Sequence, residues 1–212
     1  MKKHALLLLC LSLFITISNA QKPIIIQENN PGTLGSLLKE KQKRKLTHLI
    51  ISGTIDARDF KIMKDSMPCL AVLDISNVTI KAFGTGIVDI DNAIPEFAFC
   101  NKKNNKGKIS LTSIILPTSI TKISESAFEG CDGLTSIVIP AQVTFIDDFA
   151  FAHCSNLESI TVQSYVPFEI RFSSFLLTTK LCPKRTIHVP MGTKSAYEKK
   201  TNWNEFKNIV EF

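Results

Sequence analysis

The stretch "AFEGCDGLTSIVIP", Ala127 to Pro140, is followed 23 positions later by "AFAHCSNLESITVQ", Ala150 to Gln163. Aligned on the leucine that opens each unit, "LTSIILPTSITKISESAFEGCDG" (Leu111 to Gly133) and "LTSIVIPAQVTFIDDFAFAHCSN" (Leu134 to Asn156) are each 23 residues long, and a third copy opens with "LESITVQ" at Leu157. Toward the N-terminus, "LTHLIIS" from Leu46 and "LAVLDIS" from Leu70 stand 24 apart and keep apolar residues at unit positions 1, 4 and 6. Two further fragments fit: "IPEFAFC" from Ile94 matches "ISESAFEGC" from Ile123, and "IHVP" from Ile187 matches "IVIP" from Ile137. The pattern predicts six strand segments, near 46–52, 70–76, 111–117, 134–140, 157–163 and 184–190.

A period in the low twenties with L-x-x-[IL]-x-[ILV] in each unit is the sequence form of a leucine-rich repeat solenoid. One unit cannot bury its apolar side alone, whereas stacked units align their leucines and isoleucines into continuous internal ladders, with strands about 4.8 Å apart in a parallel sheet. Leu134, Ile137 and Ile139 are expected to point inward, Pro140 to end the pairing, and Ala150 and Phe151 to refill the core from the return segment. Cys131 and Cys154 occupy equivalent positions one unit apart, and small buried thiols are a better fit there than a disulfide.

The phrase I-x-x-x-A-F-x-x-C-x-x-L-x-x-I-x-[IV]-P resembles the BspA-like leucine-rich repeat family of bacterial surface and secreted proteins, from Leu46 to the C-terminus. The resemblance implies a right-handed solenoid, here of about six coils with one parallel sheet, and adhesion to host or neighbouring-cell proteins. Catalytic activity and a cofactor are not expected, because no motif in the sequence supports either. The ending "VPMGTKSAYEKKTNWNEFKNIVEF" looks like the family's terminal segment. Ser195 and Glu198 have capping-box spacing, and Tyr197, Trp203, Phe206 and Ile209 are placed to cover the apolar end that no further unit would cover.

Four segments are expected. Residues 1–20 carry two lysines, an apolar run from Ala5 to Ile17 and small residues at Ser18 and Ala20, the pattern of a cleaved export signal. Cys10 is a poor lipid-attachment site because bulky Leu9 precedes it and the apolar run continues beyond it. Residues 21–45 form an N-terminal cap, with a turn and a short amphipathic helix using Leu34, Leu37 and Leu38; residues 46–190 form the repeats and 191–212 the C-terminal cap. Two irregularities interrupt the repeat: the insert "CNKKNNKGKIS" from Cys100, and "SYVPFEIRFSSFLLTTKLCP" from Ser164, which stands in place of an ordinary return.

Composition excludes several functions. The formal charge of +6 includes Lys2 and Lys3 of the signal, so the exported chain carries only a mild positive excess, too little for a nucleic-acid footprint. No later segment approaches the roughly 20 apolar residues of a membrane span. Six cysteines include no C-x-x-C pair, and the five beyond Cys10 leave at least one thiol free or paired between chains, with oligomeric state open. Three later histidines, His48, His153 and His188, lie in different units without metal spacing, and no nucleophile elbow, phosphate loop or dinucleotide fingerprint occurs. Adjacent Asp147 and Asp148 make a poor acid/base pair. A pocket gathering His153, Cys154 and a carboxylate would be needed to support an enzyme.

Binding surfaces are easier to place. Positions 3 and 5 of each strand face outward and form two columns: His48, Val72, Ser113, Ser136, Ser159, Thr186, and Ile50, Asp74, Ile115, Val138, Thr161, His188. Ile50, Asp74, Ser113, Ile115, Ser136, Val138, Thr161 and His188 are the candidate ligand face, in which Ile115 and Val138 suit protein contact; ordinary strand propensity alone also yields such residues. The runs ending at Lys45 and Lys108 precede the strands at Leu46 and Leu111. Two rungs, about 10 Å, separate them, so Lys43, Arg44, Lys102, Lys103 and Lys106 form a candidate basic edge for an acidic glycan. The expected partner is therefore a host or bacterial surface protein, or an acidic glycan, and the expected location is outside the cytoplasm. A structural subunit of an envelope assembly is the competing reading.

Overall fold

The computed structural model describes residues 22–84, 90–175 and 185–212. The expected signal segment and Cys182 therefore lie outside the described residues. The chain starts with β1 (Ile24–Glu28), α1 (Leu34–Leu37), α2 (Glu40–Lys45), β2 (His48–Ile55), α3 (Ala57–Asp65) and β3 (Val72–Ile80). Short segments follow: β4 (Ala93–Ile94), β5 (Cys100–Asn101), β6 (Lys106–Gly107), β7 (Ser113–Ile115) and β8 (Lys122–Ile123). Then come β9 (Ser136–Ile139), β10 (Phe145–Ile146), β11 (Ser159–Val162), β12 (Glu169–Ile170) and β13 (Thr186–Val189), closed by α4 (Lys194–Lys199) and β14 (Ile209–Glu211).

All six anticipated strands are present, but they do not form one sheet. The front side carries two four-stranded parallel sheets, ordered β1-β2-β3-β7 and β9-β11-β13-β14, and the return side carries a third, β4-β8-β10-β12. Strands β7 and β9 lie side by side without a hydrogen-bonded ladder between them. Strand β7 has only three residues, and Pro117 two positions beyond it has no N–H with which to lengthen the pairing. The return sheet is continuous across this break, pairing Lys122 with Phe145 and Ile123 with Ile146.

Two ladders fill the space between front and back. From the front come Leu49, Leu73, Ile114, Ile137, Ile160, Ile187 and Ile209, all buried. From the return come Phe99, Phe128, Phe151 and Phe175, whose rings stack at centroid distances of 5.4, 5.2 and 5.2 Å. Phe60 of α3 meets Phe99 edge-on at 5.8 Å and starts the row. Each ring is held in step by backbone bonds: the amides of Phe99, Phe128 and Phe151 donate at 2.8 Å to the carbonyls of Ala127, Ala150 and Ser174. The turn before each small residue puts Phe97, Ser126 and Phe149 at φ near +55° (52°, 52° and 57°). Repetition of this unfavourable conformation shows that the ladder, not local preference, sets the turn.

Several expectations need correction. The segment after Gln163 does not replace the ordinary return: Ile170 pairs with Ile146, and Ser174 and Phe175 take the places of Ala150 and Phe151. Ser174 can stand for alanine because its hydroxyl donates to the Ile146 and Asp147 carbonyls. An unforeseen strand, β1, pairs with β2 ahead of the first leucine unit. The single N-terminal helix is two short ones, broken where Leu38 is extended; Leu34 and Leu38 are buried, whereas Leu37 is exposed. Ser195 does not cap a helix, since α4 begins one residue earlier behind Thr193, and the Lys194 amide is satisfied by Glu211 at 2.9 Å.

At the C-terminal end Tyr197, Trp203, Phe206 and Ile209 are all buried. The Trp203 indole donates to the Phe168 carbonyl at 2.9 Å and sits edge-on to Tyr197 and Phe168. The four described cysteines are free thiols, with Cys100, Cys131 and Cys154 buried and Cys69 exposed.

Candidate functional site

Register assembles the front face rung by rung. The pairs Ile25–Ile50, Ile50–Asp74, Asp74–Ile115, Val138–Thr161, Thr161–His188 and His188–Val210 place one outward column along the molecule. The column is longer than the sequence pattern indicates, since Ile25 and Val210 extend it at either end. Beside it runs a hydroxyl column, Ser136–Ser159–Thr186, with Ser113 across the open rung. The two candidate residues flanking that rung, Ile115 and Val138, are 51% and 46% exposed, while Ile50, Asp74, Thr161 and His188 are half-buried. Two branched apolar side chains thus stand on strands whose facing backbone edges are not paired to each other.

Asp74 has a local task. Strand β3 bulges opposite Ile51, and the Asp74 carboxylate accepts from the Ser76 amide at 2.9 Å, satisfying the donor that the bulge frees. It is the single acidic side chain in a column that is otherwise apolar or neutral near its centre.

The candidate basic edge is smaller than expected. Lys43 is buried, and its ammonium donates to the Gly35 carbonyl at 3.0 Å and pairs with Glu40, so it presents no charge to a ligand. The helical turn of α2 points this one lysine back toward α1, a direction that an unbroken run of basic residues conceals. Arg44, Lys102, Lys103 and Lys106 are exposed. The last three ride on the insert, which folds as an antiparallel hairpin of β5 and β6. Gly107 and Gly130 let this hairpin lie against the next return, because a Cβ on Gly107 would come within 2.1 Å of Gly130 backbone.

Two other lysines anchor the hairpin. Lys64 donates to the carbonyls of Phe97 and Cys100 at 2.9 and 3.0 Å, and buried Lys108 donates to the Met67 carbonyl at 2.6 Å. Burial lowers the pKa of both. Lys64 follows Lys61 on α3 and Lys108 follows Lys106 after the hairpin, and a basic neighbour in sequence gave no sign of this inward use.

Among the described residues His153, Cys154 and a carboxylate do not converge on one pocket. Glu129 is buried, with His153 Nε2 at 3.9 Å from one oxygen and Cys100 Sγ at 3.9 Å from the other. Cys154 is turned away into the core and donates to the Phe128 carbonyl at 3.0 Å. Burial pushes the Cys154 thiol up to about 12, and burial together with Glu129 pushes Cys100 up to about 11, so both stay protonated and unreactive. Asp147 pairs with Lys122 at 2.8 Å, and Asp148 accepts from the Ser173 hydroxyl, so the two carboxylates serve different partners. Among the described residues no cluster of three or more His, Cys, Asp or Glu side chains is arranged to hold a metal, and no helix is long and apolar enough to cross a membrane.

A comparison with curated proteins finds no match. Residues 92–191, from the residue before β4 to the residue after Pro190, match the BspA type Leucine rich repeat region (6 copies). This span contains the phenylalanine ladder from Phe99 to Phe175, the buried thiols and the open rung between Ile115 and Val138. Over residues 92–191, a little under half of its length, the chain carries repeats similar to those of the BspA type leucine-rich repeat family.

Proposed function

We propose that the protein is an exported, non-catalytic binder of another macromolecule, a surface protein of a host or of a neighbouring bacterium, which it meets through the front face. Repeats of this family are generally non-enzymatic protein-interaction modules of surface proteins. The observation that carries the reading is the open rung, where Ile115 and Val138 stand half-exposed side by side with Ser113 and Ser136 next to them. An apolar pair rimmed by hydroxyls resembles the centre and rim of a protein interface on a small scale. In this reading residues 1–20 direct export, 21–45 and 191–212 cap the ends, and 46–190 form a right-handed solenoid of about six coils.

A second reading rests on the hairpin. Lys102, Lys103 and Lys106, with Arg44 two front strands away, give a basic edge suited to an acidic glycan. The deciding experiment measures binding of the exported chain to extracellular-matrix proteins and acidic glycans at physiological salt, beside the Ile115→Asp/Val138→Asp and Lys102→Glu/Lys103→Glu/Lys106→Glu variants. A protein ligand lost only in the first variant supports the front face. A glycan ligand lost only in the second moves the site to the hairpin. Absence of any ligand, together with protection from protease on intact cells, assigns the protein to an internal envelope assembly instead.

A further inference from the structure

The two outermost front strands, β1 and β14, are each paired on one side only among the described residues. Every front pair is parallel, so the outer edge of β14 is of the kind that β1 presents inward to β2, and the outer edge of β1 is of the kind that β14 presents inward to β13. Open strand edges are templates for pairing with another chain. We propose that copies of this chain add head to tail, the free edge of β14 in one copy pairing in parallel with the free edge of β1 in the next.

The residues at the two edges fit one another as the internal rungs do. Ile209 is buried and continues the inward column of Ile160 and Ile187, while Ile24 pairs with inward Leu49 and is partly buried. Val210 continues the outward column through His188, and Ile25, 72% exposed, occupies the same column at the other end. Continuing the register therefore sets Ile209 beside Ile24 and Val210 beside Ile25, with inward facing inward and outward facing outward. A slip of one residue would reverse both faces. This match to the chain's own repeat favours a second copy over an unrelated strand. Glu211 limits the contact: it lies at the next inward position with its carboxylate held by the Lys194 amide, so the new ladder is short. Each contact is accordingly weak, and assembly is favoured where copies are concentrated on a surface. Because the two edges are different patches, the contact is heterologous and open-ended, giving chains of copies unless rotation closes a ring.

Sedimentation of the exported protein, from about 1 µM to about 100 µM, tests this. The expected result is a mass that rises past two copies with concentration. Ile25→Lys and Val210→Lys should each weaken self-association at least about tenfold, an effect of more than about 1.4 kcal/mol. An equimolar mixture of the two should form a dimer that grows no further, because only one good edge remains on each partner. A wild-type protein that is monomeric throughout, or that stops at two copies, overturns the proposal; so does assembly that the Val210→Lys change leaves intact. The wild-type measurement decides the matter even if a variant fails to fold.

Discussion

Cys154 donates its thiol to the Phe128 carbonyl from within the core, and Cys131 sits one unit earlier facing the Phe99 carbonyl at 3.7 Å. Burial holds Cys131 well above the ordinary thiol range and Cys154 near 12, while Cys100 is near 11. A thiol whose pKa is raised on folding contributes stability that is fully present below the unfolded value of 9.0 and is lost as pH rises toward the folded value. Unfolding free energy should therefore fall above pH 9, with each fully protected thiol adding about 1.4 kcal/mol per pH unit. Urea denaturation at pH 8 and pH 10 checks this: a Cys131→Ala/Cys154→Ala variant should start less stable yet lose less between the two. An equal loss in both proteins would assign the alkaline sensitivity elsewhere. Among the four described cysteines, iodoacetamide should label Cys69 alone until the protein unfolds. Lys108 offers a second test, since Lys108→Ala strands the Met67 carbonyl and should cost about 1–3 kcal/mol, whereas Lys103→Ala on the exposed hairpin should stay within about 0.5 kcal/mol. Equal effects of the two substitutions in thermal melts would contradict the anchoring role. The equivalence of the thiols was legible from spacing alone. The opposite fates of Lys43, Lys103 and Lys108 were not, because composition does not say which way a long side chain turns.

The return segment is the element on which the stacking depends. Its small residue, Ala98, Ala127, Ala150 or Ser174, lets the backbone close on the next unit, and the following phenylalanine fills the space behind the front strand. Phe128 lies between Phe99 and Phe151 and is wholly buried, so Phe128→Ala should cost about 3–5 kcal/mol. Phe172, three residues before Phe175, is 71% exposed, and Phe172→Ala should change stability by less than about 0.5 kcal/mol. Guanidinium midpoints of the two variants distinguish ladder from surface; similar midpoints would deny the stack its role. The three regular returns were readable because each keeps the alanine–phenylalanine pair. The one at Ile170 was obscured by serine in the alanine place, and β1 by the absence of an opening leucine. A pattern search registers residue identity, whereas the stack requires only small volume with satisfied polar atoms, which Ser174 supplies. The front face was legible as a pair of columns, but the break between β7 and β9 was not, since Ser113 and Ser136 open strands of nearly identical sequence.

In a repeat solenoid each unit touches only its neighbours, so stability is approximately a sum of unit and interface contributions, and an unprotected end frays first. The C-terminal end is protected by Trp203, which is fully buried, bonded to the Phe168 carbonyl and ringed by Tyr197, Phe168 and Phe206 at 5.1, 5.3 and 5.9 Å. Phe206 in turn meets Phe175, the last ring of the ladder, edge-on at 5.2 Å. Trp203→Ala should thus remove about 3–5 kcal/mol from the terminal interface and leave the distant N-terminal units nearly untouched. Hydrogen exchange read by mass spectrometry should show protection lost first in β13 and β14, then in β11, while β2 and β3 keep theirs. The absent ladder between β7 and β9 gives the front no hydrogen-bonded relay at that point, but the return sheet and the phenylalanine row run through it. If the return side dominates, fraying should pass the open rung without a pause; a plateau with β9 to β14 exposed and β1 to β7 protected would show that the front break divides the molecule into two cooperative units. Uniform loss of protection in every strand would reject the nearest-neighbour account, because it would mean that one cap sets the stability of all units at once.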